Sequence, residues 1–417
     1  MRKPGRRSLK SSAGSLLLLV LLSSCVRAQP PTVFQTTAGD VYEIKACAGL
    51  GDEVWLGGTV QAPTDPSGQP TWTDGFLTRL GSDGRSLWQK RFGGEGGEGV
   101  RALAPLIGGG AVIAGYASTD LALAWAGKPK TDWERQAFLA RVGDQGQLLA
   151  SLDLRSGPGD VSESYVLLQS VACRADGHVW VGGRFEGSLW GLTSHGPQAF
   201  VGLLTPDFRL VRAYALDGYE VTHLRSQGEG CLAAGFRKGS QEQVVLWKLE
   251  ASGSVAQAWA GLPAGSVACR QLEPDHLVFS ENSQSWELDL EGWKRRALPD
   301  GVWATTLWKG SKLALGQGPT ALPETAWAQS DEPILWSLEP SGWQPAWRFG
   351  SGRSDSFRFM QTSPTHLTLA GQTGGDLLGQ SKAPIGQSRA SWIRLFRLPE
   401  GNDLTRFKGP ANEGKDR

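Results

Sequence analysis

No stretch of this chain is long enough to cross a bilayer as an ordinary helix. The longest purely apolar run is Leu16–Leu22, far short of the roughly 20 residues a span needs. A sustained helical period is also missing. Histidine is scarce, with five in 417 residues, and the chain contains neither H-E-x-x-H nor H-x-H. No metal site is therefore expected. There is no G-x-S-x-G elbow and no Walker loop, which removes the usual marks of a serine hydrolase and of a nucleotide-binding loop. Gly93–Gly99 and Gly108–Gly110 are glycine-rich, but no helix follows them. Without a helix N-terminus they are turns, not phosphate cradles. Ser82-Asp83-Gly84 lacks the alternating oxygen ligands of a calcium loop and the spacing of a sialidase Asp-box. The acidic residues are scattered, so no carboxylate pair for acid–base chemistry can be assigned.

Charge of one sign is lacking as well. The formal net charge is +1, and five of the basic residues, Arg2, Lys3, Arg6, Arg7 and Lys10, lie in the first ten positions. Without them the rest of the chain has 37 basic against 41 acidic residues, a charge of −4. That excludes nucleic acid as the expected partner, since it would select a basic face.

What is present begins with a leader. MRKPGRRSLKSSAGSLLLLVLLSSC has a basic start and a short apolar segment, the pattern of a secretory signal, and is set apart from the fold. Leu22-Ser23-Ser24-Cys25 reads as an apolar residue, two small ones and a cysteine. This resembles the lipobox of bacterial lipoprotein signals. The resemblance implies a signal peptide over 1–24 and a diacylglycerol on the Cys25 thiol. Cleavage before Cys25 and acylation of the new amino terminus would follow. Two acyl chains suffice for stable anchoring. Ordinary signal-peptidase cleavage after Ala28 is the other reading, since Val26-Arg27-Ala28 is roughly A-x-A-like. Val26 follows the cysteine where an aspartate would stand otherwise, which implies an outer membrane, with the chain facing periplasm or cell surface. The expected partners are the membrane, through the lipid, and an envelope protein or glycan.

The chain also has 56 glycines and 18 tryptophans. The glycines show no Gly-X-Y period, so they punctuate tight turns. A turn followed by an apolar strand recurs seven times: GLGDEVWLGG (49–58), IGGGAVIAG (107–115), RADGHVWVGG (174–183), GEGCLAAG (228–235), PDHLVFSE (274–281), KGSKLALG (309–316) and SPTHLTLAG (363–371). Each is preceded by one candidate strand and followed by two more. Four short antiparallel strands, seven times over, predict an all-β fold, a seven-bladed β-propeller over 41–407, because radial stacking buries faces and edges that a lone sheet would expose. The fifth unit is the thinnest, with only Glu291-Gly292 left for its last turn. Residues 25–40 are read as a tether that contains a candidate ring-closing strand, Thr32–Thr36. The alternative closing strand is Asp403–Phe407. Residues 408–417 are read as a disordered tail.

Ala114-Gly115, Ala137-Phe138-Leu139-Ala140-Arg141 and the stretch from Leu87-Trp88 to Phe92-Gly93-Gly94 resemble the repeats of bacterial secreted β-propellers. That likeness implies a fold and no particular activity. Of the "DG-LLW" phrase of quinone-binding propellers only Leu87-Trp88 is matched, so no cofactor is expected.

Strand direction sorts the loops. First-to-second and third-to-fourth turns leave on one face, and these are tight. Second-to-third loops leave on the other, and they hold the insertions Thr59–Asp74, Tyr116–Gln136, Arg184–Gln198, Gln317–Glu332 and Gln372–Arg389. Insertions gathered on one face often mark a binding face. They carry Trp72, Trp125, Trp133, Trp190 and Trp327, a residue type enriched at binding hot spots. The bland alternative is that each tryptophan packs its own loop down. Apart from Cys25 there are four cysteines, Cys47, Cys173, Cys231 and Cys269. Cys173 and Cys231 flank equivalent turns of neighbouring units and form the one height-matched pair for a disulfide, with buried free thiols as the alternative. His178, His276 and His366 open the second strands of their units, a recurrence that suits repeat grammar. The functional expectation is a lipid-anchored binding scaffold without catalysis. A propeller-fold glycan lyase or hydrolase is the rival.

Overall fold

The computed structural model describes residues 32–35, 42–61, 72–93, 96–118, 120–127, 136–154, 165–237, 243–250, 255–260, 267–281, 284–318, 332–348, 355–373 and 389–395. Cys25, Trp133, Trp327, Asp403–Phe407 and the tail lie outside them.

The strands form seven four-stranded antiparallel sheets arranged as a propeller. The first blade is Tyr42–Leu50, Glu53–Gln61, Thr73–Leu80 and Ser86–Phe92, in spatial order from the axis outward. Blades two to six repeat this order, starting at Gly99, Tyr165, Glu220, Val267 and Val302. The fifth blade is the thinnest, its outer strand reduced to Arg295–Ala297. In the seventh, Asp355–Thr362, Leu367–Thr373 and Arg389–Leu395 are joined by Thr32–Gln35, which pairs antiparallel with the third strand, Phe34 opposite Trp392. The ring is thus closed by its first strand, and the propeller starts at residue 32, not at 41. Pairing the two ends of the chain in one sheet ties the seam with backbone hydrogen bonds.

Seven apolar layers hold the ring, one at each blade boundary. Between blades two and three lie Val112, Ala114, Leu139, Val171, Val181, Phe185 and Phe200. The closing seam between seven and one is filled by Ile44, Leu56, Phe76, Ala370 and Trp392. The layer between five and six is the sparest, with Val278, Leu298, Val302, Ala314, Ile334 and Trp336. Second strands carry the most apolar surface because both of their faces are covered by neighbouring blades. Residues Val54–Val60 are buried without a break, which explains why those strands read as continuous apolar runs rather than alternating ones.

The strand-ending glycines have one defined task. All seven inner strands bulge near their start, at Ile44/Ala46, Val100/Ala102, Leu168/Ser170, Val221/His223, Cys269/Gln271, Val302/Ala304 and Phe357/Phe359. Opposite six of the bulges stands a glycine: Gly58, Gly115, Gly183, Gly235, Gly316 or Gly371. A β-carbon there would overlap the inner strand's carbonyl oxygen, that of Glu43, Gly99, Leu167, Glu220, Gly301 or Ser356. Glycine admits the close approach, and the bulge re-aims one inner-strand side chain. In blade five Phe279 stands at that register and the bulge forms without a glycine.

One predicted loop is a strand pair. Residues 184–198 continue the second and third strands of blade three as a hairpin, Val179–Leu189 with Leu192–Leu204. Trp190 and Gly191, both with positive φ, form its two-residue turn, the geometry that matches strand twist. A register shift between Phe185 and Gly187 bends the hairpin.

Candidate functional site

Each bulge leaves one inner-strand residue out of register: Lys45, Arg101, Gln169, Thr222, Arg270, Trp303 and Arg358. Cross-blade contacts place this set at the axis. Trp303 of blade six lies under Arg270 of blade five, 3.9 Å from guanidinium carbon to ring centre, and under Arg358 of blade seven, 4.9 Å. Gln169 of blade three accepts from Arg101 Nη1 of blade two (3.2 Å) and donates to Glu220 Oε1 of blade four (2.9 Å). A side chain that meets both neighbouring blades stands where the inner edges converge, which is the central channel. The bulges lie near the starts of the inner strands, so this ring sits at the channel mouth on the face that bears the second-to-third-strand insertions.

The mouth is cationic and aromatic. Arg101 also lies over Tyr116 at 5.2 Å. Arg184 lies between the rings of Tyr165 and Tyr219, at 5.2 and 5.0 Å, donates to the Tyr219 hydroxyl and faces Glu220 at 3.8 Å. Two carboxylates near the ring are engaged, Glu220 by Gln169 and Arg184 and Glu43 by Lys45. Burial, and then the like charge of Arg358 across the indole, hold Arg270 below the usual arginine range. Among the described residues, no carboxylate is within ion-pair distance of Arg101, Arg270 or Arg358, and the buried Arg101 Nε and Trp303 Nε1 have no hydrogen-bond partner. A shallow cleft lined by Glu43, Ile44, Ser356, Arg358 and Phe359 opens beside them.

The sequence reading did not find this ring, because its members share no residue type. Six of the seven do stand at a nearly constant distance upstream of the strand-ending glycines, and aligning the units on those glycines would have exposed all but Arg270.

The expected tryptophans behave differently. Trp125 is only 7% exposed. It ends a five-residue helix, Leu121–Trp125, capped by Asp120. It stacks on Phe92 at 4.8 Å, which pins the second insertion to the blades. Trp190 is half-buried, folded back over Gly202 and edge-on to Phe200 at 5.9 Å. Trp72 is half-buried just before its strand. The described residues thus do not bring the three onto one exposed surface.

The height-matched cysteines do not pair. Cys173 and Cys231 are both free. The Cys173 thiol points towards blade two, donating to Ala104 O at 3.7 Å. Cys231 lies in the layer between blades three and four, facing blade three. Both side chains project the same way round the ring, so Cys173 turns its back on Cys231. Burial pushes the thiols of Cys47, Cys173 and Cys269 up to about 12 and raises that of Cys231 as well.

On the opposite face the histidines join blade boundaries. His276 Nδ1 lies 2.7 Å from Asp275 Oδ1, and its Nε2 lies 3.0 Å from Thr305 Oγ1 of the next blade. Thr305 donates to Glu287 Oε1 at 3.0 Å, and Lys312 holds the other oxygen at 2.6 Å. This has the order of a nucleophilic triad, but Thr305 is fully buried and no substrate atom could reach its hydroxyl. No group of three or more potential metal ligands occurs among the described residues.

No protein-family model matches the chain, and no curated protein sequence does. Solved structures resemble it in fold. The acylaminoacyl peptidase of Pyrococcus horikoshii aligns with a TM-score of 0.46 and 8% identity, over 79% of this chain and 49% of the peptidase. The chain thus spans about half of that enzyme's length. The β-propeller domain of the trilobed protease of Pyrococcus furiosus, described as having an open velcro topology, gives 0.47 and 8%, over 80% and 92%. The Dos1 propeller gives 0.49 and 10%, over 90% and 97%. At such identities the likeness concerns fold alone.

Proposed function

We propose that this protein is a binding scaffold, tethered to a membrane of the cell envelope by lipid on Cys25, that takes a protein or glycan at the insertion-bearing mouth of its channel and does not catalyse. The observation that carries this reading is the composition of the mouth. Seven bulges put seven side chains at the mouth, four cations, an indole, one amide and one hydroxyl. Glu220 and Glu43 beside them are engaged by neighbouring side chains, whereas glycan hydrolysis needs one free carboxyl group as acid and one as base or nucleophile. Trp72, just before the third strand of blade one, belongs to the same face.

Cross-linking in native envelopes followed by mass spectrometry tests the scaffold. One dominant partner, linked through residues of the insertion face, is expected, and cross-links confined to the tight-turn face would overturn it. The anchor has its own test. Cys25→Ser is expected to release the protein from the membrane fraction, and a free amino terminus at Gln29 in the native protein would rule lipidation out.

A further inference from the structure

At the mouth Gln169 Oε1 accepts from Arg101, Glu220 faces Gln169 and Arg184, and Glu43 faces Lys45. Beside these pairs stand donors without a partner among the described residues. Arg101 Nε and Trp303 Nε1 are shielded from water and unpartnered among the described residues. Arg270 and Arg358 lie over Trp303, and among the described residues only the Arg358 Nε is engaged, to Ser356 Oγ at 3.0 Å. A guanidinium stacked on an indole keeps its in-plane N–H fork free, and that fork matches a carboxylate in two parallel bonds. Two such forks held by one indole ask for two anionic groups close together.

Resting on the scaffold reading, we infer that the channel mouth captures an acidic peptide segment of a partner protein, with its Asp and Glu carboxylates on the forks of Arg270 and Arg358. Neighbouring acidic residues of a peptide can bring two carboxylates to one place, one for each fork. A neutral glycan fits less well, because it carries no carboxylate for either fork. The rest of the chain beyond the leader is slightly acidic, so the attraction is local to the ring rather than spread over the surface.

The test uses the full-length mature chain, with a fluorescent glutamate-rich peptide as the probe. A glutamine-rich peptide of equal length and a uronic-acid oligosaccharide form the other arms. The glutamate peptide is expected to bind, more weakly as salt rises, and Arg270→Gln and Arg358→Gln each to weaken it by about tenfold, as loss of one charge-assisted contact does. Arg209→Gln, in an exposed turn of blade three, is expected to leave binding unchanged, and the thermal midpoint of each variant reports on its folding. Equal binding of the glutamine peptide, or indifference to both ring variants in folded protein, would overturn the inference. Tighter capture of the oligosaccharide would overturn the peptide assignment while leaving a scaffold in place. The scaffold reading itself fails separately, if native cross-linking yields no dominant partner.

Discussion

The two faces of this ring use the same residue types for opposite ends. On the tight-turn face, arginine and tryptophan bind one blade to the next. Arg79 Nη1 and Trp88 Nε1 of blade one both donate to Asp144 O of blade two, at 2.9 and 2.6 Å. Trp308 Nε1 reaches Ser363 O at 3.1 Å, and Trp392 Nε1 reaches Gly84 O across the closing seam at 3.0 Å. On the insertion face, Arg101, Arg270, Arg358 and Trp303 also gather from different blades but find no such carbonyl among the described residues. Backbone turns supply acceptors only where they crowd together. The difference teaches which polar groups the fold consumes and which it holds in reserve: a donor that closes a blade boundary is structural, and one aimed into the channel with nothing to meet is available to a ligand.

The largest effect tests what separates the faces. Gly115→Ala would push a β-carbon into the Gly99 carbonyl. It is expected to cost about 3 kcal/mol or more, read from the urea midpoint of unfolding. A change below about 1 kcal/mol would mean that the bulges can be lost without harm to the ring.

Next comes a comparison of arginines. Arg79 holds Glu53 at 2.6 Å as well as the turn of blade two. Arg79→Gln is expected to cost about 2 kcal/mol, whereas Arg270→Gln should stay within about 1 kcal/mol, because lost stacking on Trp303 is offset by relief from Arg358. Equal losses by denaturant titration would erase the distinction between the faces.

Acid acts through the buried imidazoles. Burial lowers His223 and His366 to about 4, against an unfolded value of about 6.5. Between those limits the unfolded chain binds more protons, so stability falls as pH drops from about 6.5 towards 4. The melting midpoint should decrease by several degrees from pH 7 to pH 5, at roughly 2 kcal/mol per imidazole, and His223→Gln should flatten the slope. The depressed carboxyls, Asp52, Asp176, Asp207 and Asp275, lose their contribution only at lower pH, as they protonate.

The smallest effect concerns the thiols. Reductant is expected to leave the melting midpoint unchanged, and alkylation of the four cysteines in blades one, three, four and five to be slow until denaturant is added. A mixed mass pattern that collapses on reduction would show that a bridge had formed.

Local pattern made most of the architecture legible. Val302–Trp308 and Ser86–Phe92 have the bounds their sequences suggest, because turn chemistry and apolar runs act over a few residues. The reading faltered where the decision was remote. Residues 184–198 look like a polar insertion, yet they pair as a hairpin because Trp190 gains a surface on Phe200 and Gly202. The candidate tryptophans were chosen by loop, while Trp125 found Phe92 in the neighbouring blade. Height alone matched Cys173 with Cys231, but the pleat sets which blade each thiol faces.

By itself the sequence determined the seven units, their four strands and the face that carries the insertions, since each follows from residues close together in the chain. It left the closing strand open between Thr32–Thr36 and Asp403–Phe407, and only pairing with Arg389–Leu395 assigned the outer place to Thr32–Gln35. The ring of Lys45, Arg101, Gln169, Thr222, Arg270, Trp303 and Arg358 was decided by tertiary structure alone. Its members come from seven separate strands and acquire common surroundings only when the blades close round one axis.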